Sequence, residues 1–275
     1  MPTGRTSQQV HRHREERSDE AIQESSGRGP SPPGLLRSAR NDGFGLPRGL
    51  FGCGTLRDGA GEPLRPGGLA LTRELIDRAG FHAGETVADI GCGLGASTRL
   101  LRDRGVAAIG VDLLAPFDAG ARGEAPPLVV ADAARLPFAD DSLDGVLAEC
   151  SLSLTADRAL ALAEWRRALR PGGRLALSDV YRRDGGGAGR IATREALCAD
   201  LAAAGFRVEA FEDRSEALKS WAARFIFQFG SLEPLWGGGC AVDQRSDGKA
   251  RLGYALLIAA KPIAAKSGQR APAGG

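Results

Sequence analysis

A glycine-rich turn between a strand pattern and a helix pattern is the feature that most restricts what this chain can fold into. The segment VADIGCGLGAST, residues 87–98, places Gly91, Gly93 and Gly95 directly after a short apolar run. Glycines let the chain turn sharply and let a ligand approach the backbone, and the next helix offers free N–H groups at its N-terminus. The segment therefore predicts a strand–turn–helix unit with a ligand site at the turn.

Strand and helix patterns alternate along the chain from Leu69 onward. Five runs carry Val, Leu or Ala at consecutive positions, as strands buried on both faces of a parallel sheet do: ETVADIGC, AAIGVDLL, PLVVADA, LDGVLAECSL and RLALSDVY. Helix patterns lie around them: GLALTRELIDRAG with Thr72 as its cap, ASTRLLRDRG, DRALALAEWRRALRPGG ended by Pro171-Gly172-Gly173, TREALCADLAAAGF and SEALKSWAARFIFQF. The last strands are FRVEAFED and GYALLIAAK. This alternation predicts one doubly wound α/β domain.

Composition sets the expected boundaries of that domain. Residues 1–48 are polar and show no sustained helical or strand period, so they cannot repay their ordering entropy. They are expected to be either a disordered tail or sequence upstream of a native start near Leu50. Residues 49–265 are predicted to form the single domain, and residues 266–275 a disordered tail.

Charge and cysteine content exclude several classes of protein. The formal net charge is +2, and the Arg residues of the predicted domain are scattered, which argues against a nucleic-acid partner. No apolar segment is long enough to span a membrane. The five cysteines form no Cys-x-x-Cys pair, which favours reduced thiols in the cytoplasm and implies no metal site. A small-molecule partner is the default that remains, and the oligomeric state stays open.

The residues around the glycines narrow the choice of ligand. A phosphate-binding P-loop needs Lys and Ser/Thr after its glycines, and Leu94-Gly95-Ala96 stands there instead. A dinucleotide fingerprint fits the spacing of the glycines, and Asp112 ends the next strand. However, Asp89 precedes the first glycine, where its negative charge would repel a pyrophosphate and attract a cationic ligand. S-adenosylmethionine is such a ligand, and its ribose diol suits a carboxylate at Asp112.

The whole array resembles the class I S-adenosylmethionine-dependent methyltransferases, in particular the type-11 group. The resemblance covers residues 66–262 and rests on Asp89-x-Gly91-x-Gly93-x-Gly95, Asp112, Asp132 with LPF, and LRPGG. It implies a Rossmann-like, mostly parallel seven-stranded sheet with an antiparallel last strand, and S-adenosylmethionine as cofactor. The implied cofactor-binding residues are Asp89, Gly91, Gly93, Gly95, Asp112, Leu113, Asp132 and Ala133. One departure is the segment LLAPFDAGARGEAPP after Asp112, which is broken where the family has a helix.

The acceptor is expected at the carboxyl ends of the fourth and fifth strands. The predicted catalytic residues there are Glu149, Cys150, Asp179 and Tyr181, with Ser151 as a further candidate. Methyl transfer mainly requires alignment of the reacting atoms, and a general base is needed only if the acceptor must lose a proton. For each of these side chains, a purely structural role is an equally open interpretation.

The segment AECSLSLTADRALALAEWRRALRPGGRLALSDVY also resembles arsenite methyltransferases, in which a cysteine at the position of Cys150 binds trivalent arsenic. It is equally similar to a small bacterial branch that shares the run ECSLSL and a Gly-Ser-Leu-Glu segment, here in FGSLEPLW. Arsenic needs two or three converging thiolates. Cys198 does not align with the second cysteine of those enzymes, and Cys53 and Cys240 are further candidates without a sequence argument.

Two other functional classes stay open at this point. The domain can be an S-adenosylmethionine-binding sensor or partner subunit without turnover, or a nicotinamide-dependent oxidoreductase, which Asp89 disfavours. The aromatic segment SEALKSWAARFIFQFGSLEPLW is predicted to be either a lid over the acceptor or a core helix.

Overall fold

The computed structural model describes residues 65–113, 126–184, 191–232 and 251–263. The predictions for both tails, for the broken segment after Leu113, and for Cys53, Trp236 and Cys240 lie outside the described residues. The helices are α1 (Gly68–Ala79), α2 (Ala96–Asp103), α3 (Arg158–Ala168), α4 (Arg194–Ala203) and α5 (Ser215–Phe229), with a 3-10 turn at Leu152–Leu154. The strands are β1 (Thr86–Ile90), β2 (Ala107–Asp112), β3 (Leu128–Val130), β4 (Leu143–Glu149), β5 (Leu169–Arg182), β6 (Arg207–Asp213) and β7 (Leu252–Ala260).

The seven strands form one sheet in the order β3-β2-β1-β4-β5-β7-β6. The pairs among β1 to β5 are parallel, whereas β7 runs antiparallel to both β5 and β6. The predicted doubly wound sheet with an antiparallel last strand is therefore confirmed. The chain moves from β1 outward to β2 and from β4 outward to β5, so the crevice between β1 and β4 is the topological switch point.

The core on one side of the sheet explains why α1 forms. Leu75, Ile76 and Ala79 recur at helical spacing and are almost completely buried. They belong to one apolar cluster with Tyr254 and Leu256 of β7. This packing fixes α1 over the strands whose carboxyl ends form the switch point.

Two local predictions were wrong. Thr72 lies inside α1 rather than capping it, and the cap is Gly67 in the left-handed region. The helix α3 ends at Ala168, before Pro171-Gly172-Gly173, because the chain enters β5 at once and Leu169 pairs with Leu143. The strand is irregular before Arg174 pairs with Gly145, which is where a proline is tolerated in a sheet.

The aromatic helix α5 divides its side chains between two environments. Phe225 is fully buried, whereas Phe227 is 95% exposed. The structure thus supports a core role for one face of α5. No helix in the described ranges is long and apolar enough to cross a membrane.

Candidate functional site

The glycine loop joins β1 to α2 at the switch point. Gly91, Gly93 and Gly95 all have positive φ, at 72°, 54° and 76°. A Cβ on Gly91 would lie 2.5 Å from Cβ of Ser151, whereas a Cβ on Gly93 would meet no atom within 4 Å. Gly91 is therefore required for packing against the chain that follows β4. Gly93 instead leaves backbone facing open space, as a ligand cradle would.

Asp112 holds this loop from the end of β2. Its Oδ2 accepts a hydrogen bond from the N–H of Gly93 at 2.8 Å. The next residue, Leu113, is 39% exposed. Strand β2 pairs with β1 on the side away from β4, so Asp112 and Leu113 lie at the same carboxyl edge of the sheet as the glycines.

Asp132 and Ala133 follow the neighbouring strand β3. Asp132 is exposed, and its Oδ1 accepts from the N–H of Ala134 at 2.9 Å, which shapes a turn. The carbonyl of Ala133 accepts from Trp165 Nε1 at 2.9 Å, which ties this turn to α3. The cofactor-binding residues implied by the resemblance thus all lie at the carboxyl ends of β1, β2 and β3.

Asp89 is buried below the loop, with 2% of its surface exposed. Its Oδ2 accepts from Thr98 Oγ1 at 2.6 Å, so the carboxyl points toward α2. Burial raises the pKa of Asp89 to about 7, and the Glu149 charge adds to this rise while the Thr98 hydrogen bond opposes it. The Asp89 carboxyl is consequently protonated and uncharged at low pH.

Glu149, the last residue of β4, lies in a buried polar cluster. Its Oε2 lies 3.0 Å from Nη2 of Arg65 and accepts from Ser97 Oγ at 2.7 Å. Its Oε1 accepts from Thr72 Oγ1 at 3.0 Å. Nη2 of Arg65 also donates to Thr72 Oγ1 and Ser97 Oγ, at 2.5 Å and 2.8 Å. The cluster links the start of α1, the start of α2 and the end of β4.

Cys150 has a strained backbone and a protected thiol. Its φ is 52°, which is uncommon for a residue with a side chain. The N–H of Cys150 donates to the Ser178 carbonyl at 2.8 Å, and Sγ lies 3.0 Å from the hydroxyl of Tyr254. That hydroxyl donates to Ser178 Oγ at 3.1 Å. Burial, with the Asp179 charge, raises the pKa of the Cys150 thiol to about 12, so the thiol is neutral at pH 7.

Asp179 and Tyr181 have other neighbours. Asp179 is buried and accepts from the N–H and Oγ of Ser153 at 2.9 Å and 2.7 Å, which holds the 3-10 turn after β4. Burial raises the pKa of Asp179. Tyr181 is buried edge-on against Phe211, with ring centroids 5.3 Å apart. In the described ranges, none of the four predicted catalytic residues is hydrogen-bonded to another of them.

Sequence reasoning missed Arg65, Thr72 and Tyr254 as residues of this edge. Arg65 and Tyr254 are far from Glu149 and Cys150 in the sequence, and only the packing of α1 and β7 brings them there. Ser97 was visible inside the glycine segment, although nothing in the spacing assigned it a partner. In the ranges that the structure covers, no group of three or more His, Cys, Asp or Glu side chains is arranged to hold a metal ion.

Comparisons with known proteins agree with this geometry. Residues 88–177, from β1 into β5, match the family described as a methyltransferase domain. The methyltransferase GfsG of Streptomyces halstedii is 35% identical over 128 residues, which are 43% of this chain and 46% of that protein. The chain thus spans about half the length of the curated relatives it matches.

Two solved structures share the fold. The [4+2]-cyclase SpnF has a TM-score of 0.56 and 27% identity, covering 70% of this chain and 80% of that one. The phosphoethanolamine N-methyltransferase 2 of Haemonchus contortus, in complex with S-adenosyl-L-methionine, has a TM-score of 0.57 and 20% identity, covering 72% of this chain and 53% of that one. The chain has the Rossmann-like methyltransferase fold. Residues 88–177 are similar to a methyltransferase domain.

Proposed function

We propose that this protein transfers a methyl group from S-adenosylmethionine to a small-molecule acceptor. The glycine loop carries the proposal, because its left-handed residues lie at the switch point and Gly93 leaves its backbone facing open space. The loop is held from the side by Asp112. The family match supports methyl transfer. The choice of a small-molecule acceptor rests on the scattered positions of the Arg residues in the sequence.

The residues present fit the cofactor. A carboxylate at Asp112 suits the ribose diol, and Gly93 leaves room beside the loop. Leu113 is partly exposed at the same edge, and the Asp132–Ala133 turn lies next to it on the adenine side that the family resemblance implies. Asp89 favours a cation above it once ionised. These positions are proposed as the cofactor-binding residues, together with Gly91 and Gly95.

The residues of the β4 and β5 ends restrict the chemistry. When bound, S-adenosylmethionine would supply a methyl group attached to a positively charged sulfur. The sulfur is a good leaving group because it becomes a neutral thioether when the methyl group is transferred. The carboxylates of Glu149 and Asp179 are both held by donors of the protein, so neither is poised as a general base. The protein's task is then to orient the acceptor and exclude water, and an acceptor that is already nucleophilic suits the site best.

Arsenite is the narrower acceptor that the resemblance of Cys150 suggests. The contact of Sγ with Tyr254 and the raised pKa of the thiol do not favour a soft-metal ligand at this position. The hypothesis requires that Cys150→Ser abolish arsenite methylation. Retained arsenite methylation in that variant would rule out Cys150 as the arsenic ligand.

A binding role without turnover is the alternative from another class. The likeness to a [4+2]-cyclase supports measuring methyl transfer itself, because this fold occurs in a protein named for a different reaction.

The cytoplasmic location expected from the cysteines stays a prediction.

The test uses the full chain with methyl-labelled S-adenosylmethionine and an extract of the source organism, followed by a size cut-off filter. We expect label in a new compound of the filtrate, which mass spectrometry then identifies. Label retained on protein or RNA would overturn the small-molecule acceptor. Cofactor binding without transfer to any fraction would overturn the enzymatic proposal in favour of the binding role.

A further inference from the structure

Two buried donor atoms beside Glu149 lack partners among the described residues. One is Oγ of Ser151, whose residue is more than nine-tenths buried, and the other is Nε of Arg65. A buried polar atom without a hydrogen bond destabilises the folded state. An unpartnered buried group in a native protein calls for an explanation, and a bound ligand supplies one at a binding crevice.

Both atoms lie at the switch point. Ser151 follows β4 and packs against Gly91, the first glycine after β1. Arg65 contacts Glu149 through Nη2, which leaves Nε without a bond in this same corner. Ligands of doubly wound sheets bind in the crevice between the strands at this point. The two unpartnered atoms are therefore where a ligand of the glycine loop is expected.

The position of Ser151 is fixed by its neighbour. Cys150 adopts its left-handed backbone because Ser178 accepts from its N–H and Tyr254 contacts its thiol. Backbone strain at such a residue persists only where the surroundings determine its conformation. The turn that carries Ser151 is thus held rigidly, which is the condition for a binding group.

The chemistry of the two atoms selects the ligand group. Nε of Arg65 only donates hydrogen bonds, whereas the hydroxyl of Ser151 donates or accepts. A group that both atoms bind must accept hydrogen bonds, and a carboxylate next to a guanidinium is the strongest such acceptor.

We propose that Ser151 Oγ and Arg65 Nε form a subsite for the carboxylate at the amino-acid end of S-adenosylmethionine. This inference rests on the proposed function, since it concerns the cofactor of that reaction. It makes Ser151 a cofactor-binding residue rather than an acceptor-binding one. Ser178 and Tyr254 act through Cys150 as positioning residues.

The experiment compares two ligands and four proteins, the wild type and three variants, by isothermal titration calorimetry. S-adenosylhomocysteine carries the amino-acid end, whereas 5′-methylthioadenosine has the adenosine and thioether without it. In Ser151→Ala we expect the Kd of S-adenosylhomocysteine to rise at least about 10-fold and that of 5′-methylthioadenosine to stay within twofold, as for the loss of a charge-assisted hydrogen bond. The matched control is Ser153→Ala, because the hydroxyl of Ser153 already donates to Asp179. Its two Kd values should not change relative to each other.

The outcomes separate the inference from the proposed function. Unchanged affinity of Ser151→Ala for S-adenosylhomocysteine, or an equal loss for both ligands, would overturn the carboxylate subsite. Failure of the wild-type protein to bind either ligand would contradict the proposed function itself. Arg65→Lys, with its fold verified by circular dichroism, should show the same selective loss, since it keeps the charge and removes Nε.

Discussion

The adjacent ends of β1 and β4 have similar features, but different kinds of contact stabilise them. Each end buries a carboxyl group and then turns through a residue with positive φ. At β1 the carboxyl is Asp89, held by the Thr98 hydroxyl, and the turn residue is a glycine. At β4 the carboxyl is Glu149, held by the Arg65 guanidinium, and the turn residue is a cysteine. One end thus depends on local chain properties and the other on partners from distant elements.

This difference explains what the sequence could predict. The strand–turn–helix unit at β1 and the bounds of α5 follow from local patterns of glycine and apolar residues. Arg65 and Tyr254 were not predictable, because their contacts arise only when α1 and β7 pack on the sheet. The end of α3 was misplaced since pairing of Leu169 with Leu143 overrides the helical pattern up to the Pro-Gly-Gly segment.

The largest expected effect comes from removing the cation at the β4 end. Arg65→Met leaves the Glu149 carboxylate buried without its ion pair and should lower the free energy of unfolding by about 3–5 kcal/mol. Urea denaturation measures this loss. The control is Arg78→Met, which removes solvent-accessible pairs with Glu74 and Glu212 and should cost less than about 1 kcal/mol. Equal effects of the two substitutions would show that the buried cluster adds no special stability.

The buried carboxyl group at the β1 end, Asp89, should make the stability of the protein depend on pH. The pKa of Asp89 is about 7 in the folded protein, against about 3.9 when unfolded, so the unfolded chain releases this proton first. Stability from this group should therefore fall as pH rises from about 4 to about 7, by at most about 4 kcal/mol, and change no further above that range. In Asp89→Asn this part of the pH dependence should vanish. Chemical denaturation at several pH values tests it, and an unaltered slope would refute the assignment.

The turn residues differ in what a side chain would meet. Gly91→Ala introduces left-handed strain of about 1–2 kcal/mol and a clash with Ser151, so we expect a loss of about 2–4 kcal/mol in unfolding free energy. Gly84→Ala carries similar strain at φ 85° with nothing within 4 Å, and should lose only about 1–2 kcal/mol. Identical losses in thermal unfolding would mean that Gly91 is not needed for the packing of the β4 loop.

The smallest effect is expected at Cys150. Cys150→Gly relieves the left-handed strain but loses the contact of Sγ with Tyr254, so stability should change by no more than about 1 kcal/mol. Cys150→Ala loses the same contact and keeps the strain, and should be the less stable of the two. The reverse order in urea denaturation would show that the backbone at Cys150 is unstrained.

Binding of S-adenosylmethionine to Gly93→Ala tests the central claim most directly, with Gly84→Ala as the partner variant. Both substitutions impose left-handed strain in open space, but only Gly93 belongs to the glycine loop at the switch point. Equilibrium dialysis should show that the wild-type protein binds the cofactor, that Gly93→Ala binds it at least about 10-fold more weakly, and that Gly84→Ala stays within about twofold of wild type. Equal affinities of the two variants, or no binding by the wild-type protein, would contradict a cofactor site at this loop.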